Sequence, residues 1–176
     1  MAVEEYKEIL IYFEVQRFRQ TWLWILVISL VGLSWYSFLQ QIVYQKPFGT
    51  HPASDSVVWI IWVVFGIGFP IFFLNFGMTT ELREDGIRIR FFPFYRRRID
   101  LKDIQSFEVK DYHPLRDYGG WGVRSSPKNG MAYNVSGNRG VKLELKDGKR
   151  VLIGSQEPER LANMLGGILQ RARKDK

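Results

Sequence analysis

Residues 20–45, QTWLWILVISLVGLSWYSFLQQIVYQ, and residues 56–80, SVVWIIWVVFGIGFPIFFLNFGMTT, contain no charged side chain and decide how this chain must be organised. A helix rises about 1.5 Å per residue, so roughly 20 apolar residues cross a hydrocarbon layer about 30 Å thick. Both runs reach that length, and neither carries the polar stripe of a helix resting on a soluble core. Two buried helices in a globular domain would need a far larger wrapping than the remaining residues supply. The expected organisation is an N-terminal segment at 1–20, transmembrane helices at 21–44 and 57–77, an external loop at 45–56, and a cytoplasmic domain at 78–176.

The flanks support this reading. Trp22, Trp24, Trp35, Tyr36 and Tyr44 stand toward the ends of the first run and Trp59 and Trp62 early in the second, as interfacial aromatic residues do. Gly66, Gly68 and Pro70 are expected either to kink the second helix or to let it pack closely on the first. The only polar residues noted in the spans, Ser29, Ser34 and Asn75, offer no midplane charge for transport, so the pair reads as an anchor. A cleaved signal peptide would start basic, whereas this chain starts MAVEEYKEIL. Residues 4–19 mix polar and apolar types and are expected to form an amphipathic lead-in or an extension of the first helix.

Orientation follows from lysine and arginine near the spans. The connector has only Lys46, while Lys7, Arg17 and Arg19 precede the first span and Arg83, Arg88, Arg90, Arg96, Arg97 and Arg98 follow the second. The reading is a multi-pass protein of the inner (plasma) membrane with both termini cytoplasmic.

The averages conceal this partition. Over 176 residues the chain is 46% hydrophobic and 24% charged, with a mean hydropathy of -0.14, values ordinary for a soluble domain. Its net charge of +7 resides in residues 77–176, which hold 21 of the 25 Lys and Arg but 13 of the 18 Asp and Glu. No cysteine is present, which excludes disulfide staples, thiolate metal sites and a cysteine nucleophile.

After the second run the pattern changes to short alternating strands. TELREDGIRIRFF reads as a hairpin turning at Asp85-Gly86, with Ile87, Ile89 and Phe91 on one face and Arg88 and Arg90 on the other. RRRIDL and IQSFEV are further strands, and VKLELKDGKRVLI is a hairpin turning at Asp147-Gly148. Ser155 is placed to cap a final helix with Pro158 in its first turn and Leu161, Met164, Leu165, Ile168 and Leu169 facing the sheet. The tail RARKDK is expected to fray.

DGIRIRFFPFYRRRIDLKDIQSFEV, YGGWGVR, AYNVSG and GVKLELKDGKRVLIGSQEPERLANML together resemble bacterial PH-like domain membrane proteins, a small uncharacterised family with two N-terminal transmembrane helices. That resemblance implies a mainly-β PH-like domain, a seven-stranded antiparallel barrel or sandwich closed by a C-terminal helix, after a membrane α-hairpin. It implies little about function, since the fold serves as a lipid, peptide or assembly module.

Candidate sites follow from charge and from one odd motif. Arg83, Arg88, Arg90, Arg96, Arg97 and Arg98 form a basic group that either meets anionic lipid or only sets topology, at about 1 kcal/mol per residue near the surface. The three consecutive arginines must alternate faces of a strand. Trp121 and Arg124, within YGGWGVR, read either as a core plug with an arginine–carboxylate pair or as a binding groove. No catalytic residue, metal site or cofactor is expected: His51 and His113 fall on opposite sides of the membrane, and Asp111, His113 and Asp117 read as a solvated loop cluster. Asn134-Val135-Ser136 matches a glycosylation sequon but would sit in the cytoplasm. Nucleic acid is not expected as a partner, because the basic residues lie in strands beside a membrane and no nucleic-acid motif accompanies them. The expected partners are the phospholipid bilayer, through anionic headgroups, and a membrane or cytoplasmic protein. The expected role is a non-catalytic anchored module; a subunit or regulator of a larger membrane complex is the alternative, and a membrane-associated enzyme the distant one.

Overall fold

The computed structural model describes residues 9–174. The chain divides into two units: Phe18–Phe76, and the residues up to Arg17 together with those from Gly77 onward.

The first unit is a helical hairpin. Its helices, Thr21–Val43 and Asp55–Asn75, are long and apolar enough to cross a membrane. Few of their side chains are buried, chiefly Val27, Ser34, Phe38 and Val58. Winding loosens to π-helical turns at Leu39–Val43 and Trp62–Gly68. The second stretch explains how Pro70 is accommodated. Proline has no N–H to give the carbonyl of Gly66, four residues earlier. That carbonyl instead accepts the Trp35 indole N–H of the first helix at 3.3 Å. Gly66 makes the approach feasible, since a Cβ there would stand 3.1 Å from Ser34 Oγ and 3.1 Å from Trp62 Cδ1. Close packing, rather than a broken helix, is the outcome, and Phe38 stacks on Trp62 beside it with ring centroids 4.4 Å apart. At the connector, Gln41 Nε2 donates to Ala53 O at 2.7 Å and to Asp55 Oδ1 at 2.8 Å.

The second unit holds two sheets. One has four antiparallel strands in sequence order: β1 (Leu10–Arg17), β2 (Gly77–Arg83), β3 (Gly86–Phe92) and β4 (Tyr95–Asp100). The other has five, in the order β5 (Ile104–Asp111), β8 (Arg139–Leu145), β9 (Arg150–Gly154), β7 (Gly130–Asn134) and β6 (Gly122–Ser126). The inner faces of both sheets are largely apolar, with Met78, Leu82, Ile87 and Ile89 buried in one and Val141, Leu143 and Ile153 in the other. A second small core forms around Leu152 from Ala132, Tyr112 and Tyr118, the last on the short helix Pro114–Tyr118.

Three expectations are corrected here. Among the described residues the domain has nine strands rather than seven, the β7–β9 pairing is parallel, and no pairing closes the two sheets into a barrel. The N-terminal segment is neither an amphipathic lead-in nor a helix extension over Leu10–Arg17, where it forms β1 and pairs with β2; residues 1–8 lie outside the described residues. Its Ile, Tyr, Phe and Val content suits a strand, but polar Glu14 and Gln16 point inward while Phe13 and Val15 point out, so its alternation reads as inverted. The C-terminal helix, Pro158–Lys174, packs on β5, β8 and β1 through Leu161, Ala162, Leu165 and Ile168, whereas Met164 is exposed. It absorbs the basic tail as far as Lys174, with residues 175–176 outside the described residues. Ser155 Oγ accepts the Glu157 N–H at 3.0 Å, one residue before the helix begins, so it shapes the turn into the helix rather than capping a helical N–H.

Turn chemistry differs between the two recognised hairpins. At β8–β9, Gly148 takes φ +79, a left-handed conformation that glycine adopts without strain. At β2–β3 the loop is Glu84-Asp85, and Gly86 already belongs to β3. What requires glycine there is space, because a Cβ would lie 2.3 Å from the Ile99 carbonyl oxygen of β4.

Candidate functional site

Alternation in β3 and β4 separates the arginines. Cross-strand pairing sets Arg88 opposite Arg98 and Arg90 opposite Arg96 on the outer face of the four-stranded sheet. Arg97 falls opposite Ile89, on the inner face and half-buried. The consecutive arginines therefore do not share one pocket, in line with the strand geometry.

Nor is the outer face a bare cationic patch. Glu81, buried within it, accepts Arg83 Nη2 at 2.8 Å and lies 3.9 Å from Arg90 Nη2. Asp85 accepts Arg98 at 2.7 Å and Arg88 at 3.1 Å, and Arg98 Nε also donates to Asp100 at 2.8 Å. Burial pushes the Asp85 carboxyl up, yet the Arg88 hydrogen bond and the charges of Arg88 and Arg98 hold it below the ordinary carboxylate range. Among the described residues Arg96 and Arg97 make no ion pair. Large apolar groups share the outer face and its turn: Phe13 is 55% exposed, Val15 50%, Phe92 59% and Phe94 80%. The site is thus an amphipathic surface with a partly neutralised arginine lattice, and the apolar half contributed by β1 was not foreseen from sequence.

The YGGWGVR motif has a structural account. Gly119 ends the short helix in the left-handed region at φ +74, its N–H bonded to Leu115 O at 2.9 Å, and Gly120 N–H bonds to Pro114 O at 2.9 Å. Gly122, at φ +106, opens β6 and donates to Asn134 Oδ1 at 3.0 Å. Trp121 is partly buried, with its indole Nε1 out of solvent, beside the core that Tyr118 and Tyr112 fill. Arg124 meets no carboxylate among the described residues, and its Nε donates to the Trp121 carbonyl at 2.9 Å. Asn134 of the sequon is fully buried, so its side chain is sequestered in the fold.

The remaining titratable groups serve local structure. Asp117 accepts the His113 backbone N–H at 2.8 Å, which, with Arg116 beside it, holds its carboxyl low. Asp111 and Glu159 both engage Arg139. Burial pushes the Tyr112 hydroxyl up to about 12. Among the described residues no group of three or more His, Cys, Asp or Glu side chains is placed to hold a metal ion.

A partly buried polar network joins β1 to the segment before the C-terminal helix. Glu14 Oε2 accepts from Tyr12 OH at 2.6 Å and Ser155 Oγ at 2.7 Å, while Oε1 accepts from Gln156 N–H at 2.7 Å and Gln16 Nε2 at 3.0 Å. Gln16 Nε2 also donates to Gly154 O at 2.7 Å. Burial first, and the Glu14 hydrogen bond second, push the Tyr12 hydroxyl well above its usual range.

No curated protein and no solved structure matches this chain. The model of the family of unknown function DUF6141 matches residues 3–169, which takes in both units, and the chain belongs to that family.

Proposed function

We propose that this chain is a non-catalytic, membrane-anchored PH-like module whose two helices span the inner membrane, with both termini in the cytoplasm and the connector outside. One observation carries the reading. The helical hairpin is inserted between two strands that pair with each other, and Arg17, which ends β1, is the cross-strand partner of Gly77, which begins β2. A chain that leaves and re-enters the same sheet through two spans must cross an even number of times, so its flanks share a side. The excess of arginine on those flanks over the single Lys46 of the connector makes that side cytoplasmic. Two sheets with a C-terminal helix packed on strands of both support the PH-like assignment.

The working surface in this reading is the outer face of the four-stranded sheet. Gly77 pairs with Phe92, so the turn carrying Phe92 and Phe94 stands at the end of the sheet from which the chain passes to the helices. Arginine beside exposed phenylalanine is the chemistry of an interfacial contact with an anionic leaflet. The pairing of Arg83, Arg88 and Arg98 with carboxylates favours a second reading, in which this face docks a protein and the helices join a larger membrane complex.

Absence of native cysteine makes the topology directly testable. Single cysteines replacing Gly49 in the connector and Lys149 in the β8–β9 turn are labelled in intact cells and inverted vesicles with a membrane-impermeant maleimide. Gly49→Cys should label from outside and Lys149→Cys only in inverted vesicles. Labelling of both from one side would show that the helices do not span; Lys149→Cys labelled from outside would reverse the orientation.

A further inference from the structure

A groove of about 550 Å³ opens between β4, the β6–β7 turn and the start of β9, all within the strand-rich unit. Four cations from three separate elements line it: Arg97 of β4, Lys128 of the β6–β7 turn, and Lys149 and Arg150 at the entry to β9. Arg97 is the informative member. It projects from the otherwise apolar inner face of its strand, between Tyr95 and Ile99, and makes no ion pair among the described residues, whereas Arg98 next to it is held by two carboxylates. An arginine in that position without a counter-charge leaves the groove electropositive.

Nearby acids offset part of the field and leave Arg97 and Lys128 as the members without an ion pair among the described residues. Asp147 is engaged by Lys149 at 2.6 Å, and Glu144 lies 3.8 Å from both Arg150 Nε and Lys142 Nζ. Arg150 is oriented by donating Nη1 to the Lys128 carbonyl at 3.1 Å, which ties two walls of the groove together. Gly130 lets those walls close up, since a Cβ there would lie 2.2 Å from Arg150 O. Ser125 adds a hydroxyl to the lining. Planar guanidinium forks and point-charge ammonium groups around one cleft suit phosphate oxygens, and the volume falls in the range of small-molecule sites and exceeds one phosphate.

We propose that this groove binds a phosphorylated small molecule bearing at least two negative charges, either a free solute or a phosphomonoester lipid headgroup. The site lies on the opposite face of β4 from the surface assigned to the leaflet, so its failure leaves the anchored-module reading intact.

The test uses the full chain in phosphatidylcholine nanodiscs, titrated with inorganic pyrophosphate by calorimetry. Saturable binding at one site per chain is expected. Loss of one charge-assisted contact should weaken it about tenfold in Arg97→Gln and in Lys128→Gln, while Arg96→Gln, adjacent but on the other face, leaves it unchanged. Should Arg97→Gln fail to fold, the surface-turn variant Lys128→Gln decides. A second arm repeats the titration in nanodiscs containing phosphatidic acid. Abolished pyrophosphate binding there identifies a lipid headgroup as the occupant, and undiminished binding identifies a soluble phosphate compound. Absence of saturable binding, equal weakening by Arg96→Gln, or tighter binding of a single-stranded oligonucleotide than of pyrophosphate would each overturn the proposal.

Discussion

Asp85 shows how single residues turn an apparently cationic strand pair into an ordered lattice. It sits in the two-residue loop before β3, where one carboxylate receives both Arg88 and Arg98 and fixes the cross-strand pair that would otherwise repel. Because its folded pKa is held below the ordinary 3.8, the charged form contributes stability above that value, and the contribution is lost as pH falls through the folded pKa. Asp85→Asn should therefore lower the melting temperature of the full chain at neutral pH. The gap between variant and wild type should close as the buffer is taken below 3.8, a trend checked by circular-dichroism melts across a pH series. A gap independent of pH would mean that Asp85 acts through its shape rather than its charge. Glu14 plays the corresponding part on the inner side, where four hydrogen bonds to one carboxylate make an inward acidic residue tolerable.

Among the elements, the second helix is the clearest case of a local defect used for packing. Pro70 frees the Gly66 carbonyl, the winding widens over Trp62–Gly68, and the Trp35 indole of the first helix takes up the acceptor. Trp35→Phe removes that bond, about 0.6 kcal/mol on the mean for interhelical hydrogen bonds in membranes, and trims a ring that meets Trp62 edge to face while leaving an aromatic side chain in place. Gly66→Leu overfills the contact and should cost about 1–3 kcal/mol; near-UV circular-dichroism melts in nanodiscs rank the two, and equal effects would refute the close-packing account. The two long helices were legible as charge-free apolar runs, and the β2–β3 and β8–β9 hairpins and the C-terminal helix because their apolar residues repeat with an uninterrupted period. β1 was not, since Glu14 and Gln16 face inward and their partners, Gly154 to Gln156, are almost 140 residues away. Short β6 and β7 carry too few residues for a period to register, and the parallel β7–β9 pairing depends on a crossover that no local pattern encodes. The basic residues of the candidate site were legible as a group. Their division into an outer lattice and an inner groove required the register of β4 against β3.

At the scale of the whole molecule, the helical hairpin is an insertion into a folded domain rather than a leader in front of one. β1 covers an edge of β2 and brings Glu14 and Gln16 onto residues 154–156, so the strand-rich unit is complete only when chain from both sides of the helices is present. A fragment beginning at Gly77 would expose the β2 edge, which invites edge pairing between molecules, and leave the buried Ser155 hydroxyl without its acceptor, a loss of about 1–3 kcal/mol. Since Arg17 and Gly77 are cross-strand partners, a two-residue Asn-Gly turn can replace Phe18–Phe76 and join β1 directly to β2. That joined chain should be a soluble monomer with a single cooperative melt, while the fragment 77–176 should melt at lower temperature, without cooperativity, and self-associate in sedimentation. Equal stability of the two would mean that β1 is dispensable and that the hairpin is appended rather than inserted. A stable joined chain would also separate the roles of the two units, because groove binding of pyrophosphate should survive in it while membrane association is lost.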